Sequence, residues 1–387
     1  MENWQVDDQI IFDRRHLNPL KKWWVDIDKI NLLLIIALII FGLMMAFSSS
    51  PAVAKKISAE KLFFVKKQIF FVFVAIFTIT FISFFDKQQI KVASIFGIMT
   101  CLVLLVLVLA FGSEAKGAKR WIMFLGFNLQ PSEFAKIFFL VSNAFLLEKL
   151  KEHKWFIKYG TSAALYFAIV ILLILQPDFG MTLIFTALWI IQLFVFGLPI
   201  FLIILFGCLG VVGGIVGYWS LPHVADRINK FLNLNEKNYQ VERAIDAYVN
   251  GGFFGVGPGN GLVKKYIPDA HTDFIFAVVA EEFGIISCIF LMVIFVFIIS
   301  RVIKSVINEE DLFCKLAVIG LISEIALQTL VNIGVSVGML PTKGMTLPFI
   351  SYGGSSIIAV SIGFGMILSL TKKKYNDKIN YNNLMVN

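Results

Sequence analysis

Long apolar runs separated by short polar stretches set the first expectation for this chain. A bilayer core of about 30 Å takes roughly 20 helical residues. Runs at 31–50, 63–85, 90–111, 131–147, 159–176, 180–197, 199–219, 274–300, 312–339 and 346–370 meet that measure or approach it. The charge-free stretch from Gly180 to Ser220 is about twice one span, and Gly197-Leu198-Pro199 supplies a break that folds it into a tight hairpin. The run opened by Pro131 is short and carries Lys136, Ser142 and Asn143. Proline suits a first helical turn, and the polar side chains are expected to face the bundle rather than lipid. The pattern predicts an all-α polytopic membrane protein of about ten transmembrane helices. It divides into a tail (1–30), a membrane domain (31–370) with a large loop (220–272) between the seventh and eighth helices, and a second tail (371–387).

Composition agrees. Of 387 residues 58% are hydrophobic, 40 are Phe and only 16% are charged, which excludes an ordinary soluble domain. The net charge of +8 suits contact with anionic lipid head groups, and its dispersal among the loops speaks against nucleic acid. Cys101, Cys208, Cys288 and Cys314 lie in apolar runs without metal or disulfide spacing, and the histidines form no ligand cluster. Residues 1–30 are too acidic and too long to be a cleaved signal, so the first span is expected to be retained. Arg14, Arg15, Lys21, Lys22, Lys372, Lys373, Lys374 and the four Lys of the 148–158 loop put both tails in the cytoplasm. Lys55, Lys56, Lys61, Lys66 and Lys67 crowd the other side and weaken that bias.

This orientation leaves 112–130, 177–179, 220–272 and 340–345 outside, and these loops hold nearly every unusual string of the chain. One composite site at the outer face is therefore expected. Lys119-Arg120-Trp121, followed by Glu133, suits a phosphate and a sugar ring, or equally an interfacial anchor of basic and aromatic residues. Asp178 in Gln176-Pro177-Asp178 is a site carboxylate or a helix cap. The large loop offers Arg243, Lys264 and a Gly-rich string, Gly251 to Gly261, whose backbone N–H groups can approach an anion. It lacks the ending of a nucleotide P-loop.

At the mouth of the eighth run stands His271-Thr272-Asp273-Phe274. Asp273 is either a cap or a functional charge at a membrane boundary. On a helix running from it, Glu281 lies within about a quarter turn of its face and roughly 12 Å further on, while Glu282 points away. Lys343 in the last outer loop suits an anion, and Ser351 opens a stretch of small residues fit for close packing.

Taken jointly, Lys119-Arg120-Trp121, Gln130-Pro131-Ser132-Glu133, Gln176-Pro177-Asp178, His271-Thr272-Asp273-Phe274, Glu281-Glu282 and Pro348-Phe349-Ile350-Ser351-Tyr352-Gly353-Gly354 resemble the SEDS family. These are bacterial polytopic glycosyltransferases that polymerise peptidoglycan from lipid II, and the likeness covers all but the tails. The strings 264–271 and 340–348 are similar to the division member more than the elongation member, although Val241-Glu242-Arg243-Ala244 departs from its pattern.

The resemblance implies inverting transfer from an undecaprenyl pyrophosphate carrier, with Asp273 as base. Lys119, Arg120, Lys343, Arg243 and Lys264 are then candidates to stabilise the leaving diphosphate, with or without Mg2+ or Mn2+. Trp121, Glu133, Asp178, His271, Glu281 and Ser351 are expected at the substrate. The implied partner is a class B penicillin-binding protein, and the implied location is the inner membrane at the septum. A lipid-precursor flippase and a scaffold without catalysis are the rival readings.

Overall fold

The computed structural model describes residues 18–372 except 57, 59, 61, 116–117, 125–126, 221–224, 226–228, 230–238 and 343. Helices α1 (Pro19–Asp26), α2 (Lys29–Lys56), α3 (Phe63–Ser83) and α4 (Lys87–Phe111) lead into three short strands, β1 (Ser113–Ala115), β2 (Ala118–Phe124) and β3 (Phe127–Leu129). Then follow α5 (Pro131–Lys149), α6 (Trp155–Leu175), α7 (Phe179–Phe196), α8 (Ile200–Ser220) and α9 (Tyr239–Gly251). The chain closes with α10 (Ile275–Val306), α11 (Leu312–Ser336) and α12 (Gly354–Leu370). Among the described residues, seven helices are long and apolar enough to cross a membrane, and α12 is a shorter apolar helix. The protein is thus a polytopic, almost entirely helical membrane protein.

Local chemistry sets the ends of these helices. Asp86 opens α4 with a reciprocal capping box to Gln89, and Asp311 caps α11 through the Cys314 amide. Pro131 takes the first turn of α5, and left-handed Gly197 closes α7 ahead of the 197–199 turn. Packing inverts the habit of a soluble protein. Phe73, Phe77, Phe96 and Phe290 point outward, while Gln68, Ser94, Lys136, Asn143, Ser162 and Gln192 are wholly inside. In lipid the exterior favours hydrocarbon, and polar groups must find partners within the bundle. Asn143, for example, donates to Gln192 at 3.0 Å and accepts from Ser162 at 2.7 Å.

Two segments hold structure that the hydropathy pattern did not show, and two predicted spans need correction. In the 112–130 loop β1, β2 and β3 form an antiparallel sheet in that order, with Ser113 opposite Trp121 and Ile122 opposite Leu129. The first tail contains α1, fastened by a Trp23 indole that donates to Ser83 at 2.8 Å and stacks on Phe84. The last apolar run becomes helical only at Gly354, because 346–353 is taken up by turns in which Phe349 has φ 64°. Finally, the run at 274–300 is not one continuous helix.

Helix α10 breaks at Gly284, with φ 79° and ψ 173°. Its first part is almost wholly buried. Its second part, from Ile285 to Val306, is about 33 Å long and matches a bilayer alone. A break leaves N–H and C=O groups without intrahelical partners, which is costly at membrane depth. The Gly-rich string supplies those partners. Val256 and Gly257 amides donate to Glu281 and Glu282 carbonyls at 2.9 and 3.0 Å, and Ile285 donates to the Gly252 carbonyl at 3.0 Å. A Cβ added at Gly251 or Gly255 would overlap the α10 backbone, so only glycine permits this approach. The string is therefore a clamp on a broken helix, with the Val256 and Gly257 N–H groups used there.

Candidate active site

Asp273 sits two residues before the first turn of α10, in a turn rather than on the helix. Its side chain is half-buried, and one carboxylate oxygen faces Gly344 of the α11–α12 connection. The main chain around it is pinned from three directions. Its amide donates to the Asp269 carbonyl at 3.1 Å. Its carbonyl accepts from the Asn332 carboxamide at 2.9 Å, and that same group donates to the Met345 carbonyl at 2.5 Å. The neighbouring Thr272 carbonyl accepts from Ser351 Oγ at 2.5 Å, while Ser351 accepts from the Leu347 amide. Ser351 thus acts on the backbone of this corner, stitching 347–351 to 272.

His271 lies between Phe64 and Tyr352, with ring centroids 4.7 and 5.1 Å away, and its carbonyl accepts from the Tyr352 amide. Burial pushes its imidazole pKa down to about 4, against the attraction of Asp269. The ring is neutral at pH 7. Because the folded value lies below the ordinary 6.5, the unfolded chain binds more protons between pH 6.5 and 4, and stability falls as pH drops through that window. The full effect is roughly 3 kcal/mol. Comparing thermal midpoints of wild type and His271→Gln in detergent at pH 7 and 4.5 should show a smaller acid-induced drop in the variant.

The other candidates fall into two groups. Arg120 and Asp178 meet: Arg120 Nε lies 3.3 Å from Asp178 Oδ2, and an Arg120 Nη donates to the Pro177 carbonyl at 3.3 Å. Asp178 also caps α7 through the Met181 amide, so it is cap and ion partner at once. Lys119 and Trp121 sit on the same strand, Lys119 exposed and Trp121 half-buried. Ser355 ties this sheet to α12, accepting from the Gln130 amide and donating to the Asn128 carbonyl. Glu133 pairs with buried Lys136 at 3.0 Å, and Lys136 also meets Glu324 at 2.9 Å.

The second group is engaged elsewhere. Glu281 is fully buried and accepts from Asn250, the Val263 amide and the Lys264 amide, holding the 263–265 turn. Lys264 is buried in an ion pair with Glu282, and Ser48 bonds to both. Arg243 stands on α9, partly exposed, paired with Asp246 at 2.8 Å and set over the Tyr239 ring. Lys343 lies outside the described residues; a Cβ added at its neighbour Gly344 would come within 3.2 Å of Asp273 Oδ2.

Sequence reasoning missed the face of α11 on which the site leans. Glu324, Gln328, Asn332 and Ser336 recur every four residues and form one polar stripe along an apolar helix. Every member is used. Glu324 takes Lys136, Gln328 donates to Thr346 and Ser356, Asn332 holds Asp273 and Met345, and Ser336 meets the Tyr248 hydroxyl. The i, i+4 spacing was the available signal. Asn332→Ala should leave two buried carbonyls without a donor, each worth about 1–3 kcal/mol. If Asp273 is catalytic, a misplacement on the order of 1 Å should cut turnover up to ~100-fold with little change in KM. Steady-state kinetics of the purified variant check this.

Comparison with known proteins decides the family. The model of the FtsW, RodA and SpoVE cell cycle proteins matches residues 29–376. The chain belongs to this family. Among its relatives is a probable peptidoglycan glycosyltransferase FtsW of Caulobacter vibrioides, 36% identical over 365 residues, which covers 94% of each chain. The stage V sporulation protein E of Bacillus subtilis is 32% identical over 354 residues, covering 89% of this chain and 97% of its own. The fold is shared with a chain solved in work on the structural coordination of polymerisation and crosslinking by a peptidoglycan synthase complex. That match has a TM-score of 0.75 at 26% identity and covers 89% of this chain and 97% of the other. It is also shared with the rod shape determining protein RodA of Thermus thermophilus, with a TM-score of 0.66 at 25% identity, covering 90% and 97%.

Proposed function

We propose that this chain is a peptidoglycan glycosyltransferase that polymerises lipid II during septal wall synthesis in cell division. The observation that carries the reading is the setting of Asp273. A half-exposed carboxylate stands at the mouth of a buried half-helix, with its backbone fastened by α11 and by the 345–351 turns. Pre-organisation of this kind is what a general base needs. Relatives named for this activity over almost the whole chain support the reaction class, and those carrying the division name favour division over elongation.

In this mechanism Asp273 takes the proton of the acceptor 4-hydroxyl as its oxygen attacks the anomeric carbon. The bond to the diphosphate breaks in the same displacement, so the centre inverts and no covalent enzyme intermediate forms. The departing diphosphate needs cations. Arg120, aimed by Asp178 and the Pro177 carbonyl, offers its guanidinium edge; Lys119 and Lys343 add point charges. Trp121 is placed on the same strand for a sugar face. Lys264 and Glu281 serve the scaffold, and Arg243 sits at the margin. A divalent cation, Mg2+ or Mn2+, would add positive charge at the same diphosphate, for which one or two carboxylates together with the phosphate oxygens suffice.

The site faces the periplasm of the inner membrane, and a class B penicillin-binding protein packs its single span against the bundle. The test is to reconstitute the protein in liposomes with lipid II, with and without the co-purified transpeptidase, and to resolve the products by size. Glycan strands are expected. Lipid II crossing acceptor-free vesicles with no polymer in either condition would overturn the reading in favour of a flippase.

A further inference from the structure

The turns that fasten Asp273 rest in their turn on α2, a helix from the other end of the chain. Ser351 Oγ donates to the Thr272 carbonyl at 2.5 Å and the Tyr352 amide donates to the His271 carbonyl at 2.9 Å. The 347–352 backbone therefore fixes the two residues that precede Asp273. Its path is an uncommon one, because Phe349 holds φ 64°, which a bulky side chain keeps only where its surroundings dictate it. On one side the Phe349 ring meets Phe364 of α12 edge-on, with centroids 5.8 Å apart. On the other side the main chain lies directly against Gly42 of α2. A Cβ built on Gly42 would fall 2.6 Å from the Ile350 carbonyl oxygen, 2.7 Å from Ile350 Cα and 2.8 Å from the Phe349 carbonyl oxygen. These are backbone atoms of residues at most 1% exposed, so no side chain can swing aside. Alanine is the better helix former, so glycine serves the approach of the turn and not the helix.

Helix α2 also meets the other support of the site, the break in α10. Ser48 Oγ donates to Glu282 and accepts from Lys264 Nζ at 2.6 Å, and the Phe41 ring stands 5.9 Å from that of Phe283. Phe41 and Ser48 lie within about 20° of each other around the helix, and Gly42 is roughly 100–120° away. One face of α2 therefore holds the α10 break while a neighbouring face seats the turn. At the inner end Asp28 accepts from Arg301 Nε at 2.8 Å, which ties the start of α2 to the far part of α10.

We infer that the outer half of α2 is the brace that sets the place of the Asp273 carboxylate, with Gly42 as a positioning residue for the transfer step; this rests on Asp273 being the base proposed above. A methyl at Gly42 drives the 349–350 backbone outward by about 1 Å to regain an ordinary 3.5 Å contact. Ser351 and Tyr352 pass that shift to 271–272, next to the carboxylate. An error of that size costs up to ~100-fold in turnover. The cations assigned to the diphosphate, Lys119 and Arg120, stand on β2, so substrate binding is spared.

The test uses the full-length protein in liposomes, with initial rates taken across lipid II concentrations. Gly42→Ala should lower kcat by roughly 10- to 100-fold and leave KM within about twofold of wild type. Gly365→Ala is the control for overpacking alone. Its Cβ would lie 2.9 Å from Ile82 Cβ and 3.1 Å from the Ile79 carbonyl oxygen, roughly 16 Å further along α12 than Gly354. It should lower the thermal midpoint and keep the wild-type kcat. Ser351→Ala cuts the next joint without adding volume; it should lower kcat itself, and Gly42→Ala added to it should cost less than it does alone. Amide hydrogen exchange reads the joint without any activity: peptides covering 269–276 and 345–353 should exchange faster in Gly42→Ala and at the wild-type rate in Gly365→Ala. A wild-type kcat in Gly42→Ala, a loss confined to KM, an equal kcat loss in Gly365→Ala, full additivity with Ser351→Ala or unchanged exchange would each overturn the inference. Should Gly42→Ala not fold, a wild-type kcat in Ser351→Ala overturns it. If the wild type forms no glycan strands, the glycosyltransferase reading fails, and the exchange rates still decide whether α2 braces this corner.

Discussion

Asp273→Asn should lower glycan polymerisation by roughly 10²–10⁴-fold while leaving the protein folded, because general-base catalysis is worth about that much. Asparagine keeps the shape of the side chain but is neutral and cannot take a proton. The corner is held through main-chain groups that the substitution leaves in place: the Asp273 carbonyl by Asn332, the Asp273 amide by Asp269, and the Thr272 carbonyl by Ser351. Thermal midpoint and yield should therefore match wild type. Asp273→Glu, which advances the carboxylate by about one bond length, should retain partial activity, since positioning errors of this size are costly but not total. Both variants are read as strand formation from lipid II in liposomes. Wild-type rates in Asp273→Asn would remove this residue as the base, and a collapse in stability would give the carboxylate a structural role instead.

Lys264→Met should destabilise the protein severely. The variant strands Glu282 in a site where both partners are at most 4% exposed, and breaking a buried pair from one side costs about 3–5 kcal/mol. Lys264→Met combined with Glu282→Gln should recover most of that loss, because the uncompensated charge is gone and Gln still accepts from Ser48. The consequence reaches the helix break, since Glu282 and its neighbour Glu281 hold the Gly-rich string to α10. Unfolding midpoints of the two single variants and the double variant give the coupling. A phosphate-binding Lys264 predicts the reverse: a stable but inactive single variant that the second change does not rescue.

The contrast between these two residues shows where local reading stops. Asp273 stood out in the sequence because a carboxylate at the mouth of an apolar run is rare and expensive. Lys264 stood out for the same reason, as a cation close to that carboxylate in sequence, yet the fold turns it away to Glu282 and Ser48. Glu281 was placed near Asp273 by helical arithmetic on a helix that begins only at Ile275. Its carboxylate instead closes on the 263–265 turn. The polar stripe of α11 could have been found from its four-residue spacing, but its targets could not. Asn332 reaches a carbonyl 59 residues away, and Glu324 reaches a lysine 188 residues away.

From the sequence alone came the helical membrane class, most of the apolar runs that become helices, the break at 197–199 and the helix-start roles of Pro131 and Asp178, because hydropathy over a bilayer's thickness and side-chain bonds to nearby amides are local quantities. The break at Gly284, the sheet between α4 and α5, and the division of the polar residues between scaffold and site were decided only in three dimensions. Gly284 can leave the helix only because Gly252 and Val256, distant in the chain, satisfy the backbone groups it exposes. A buried polar group is assigned its role by whichever partner the fold brings to it, and no local pattern names that partner.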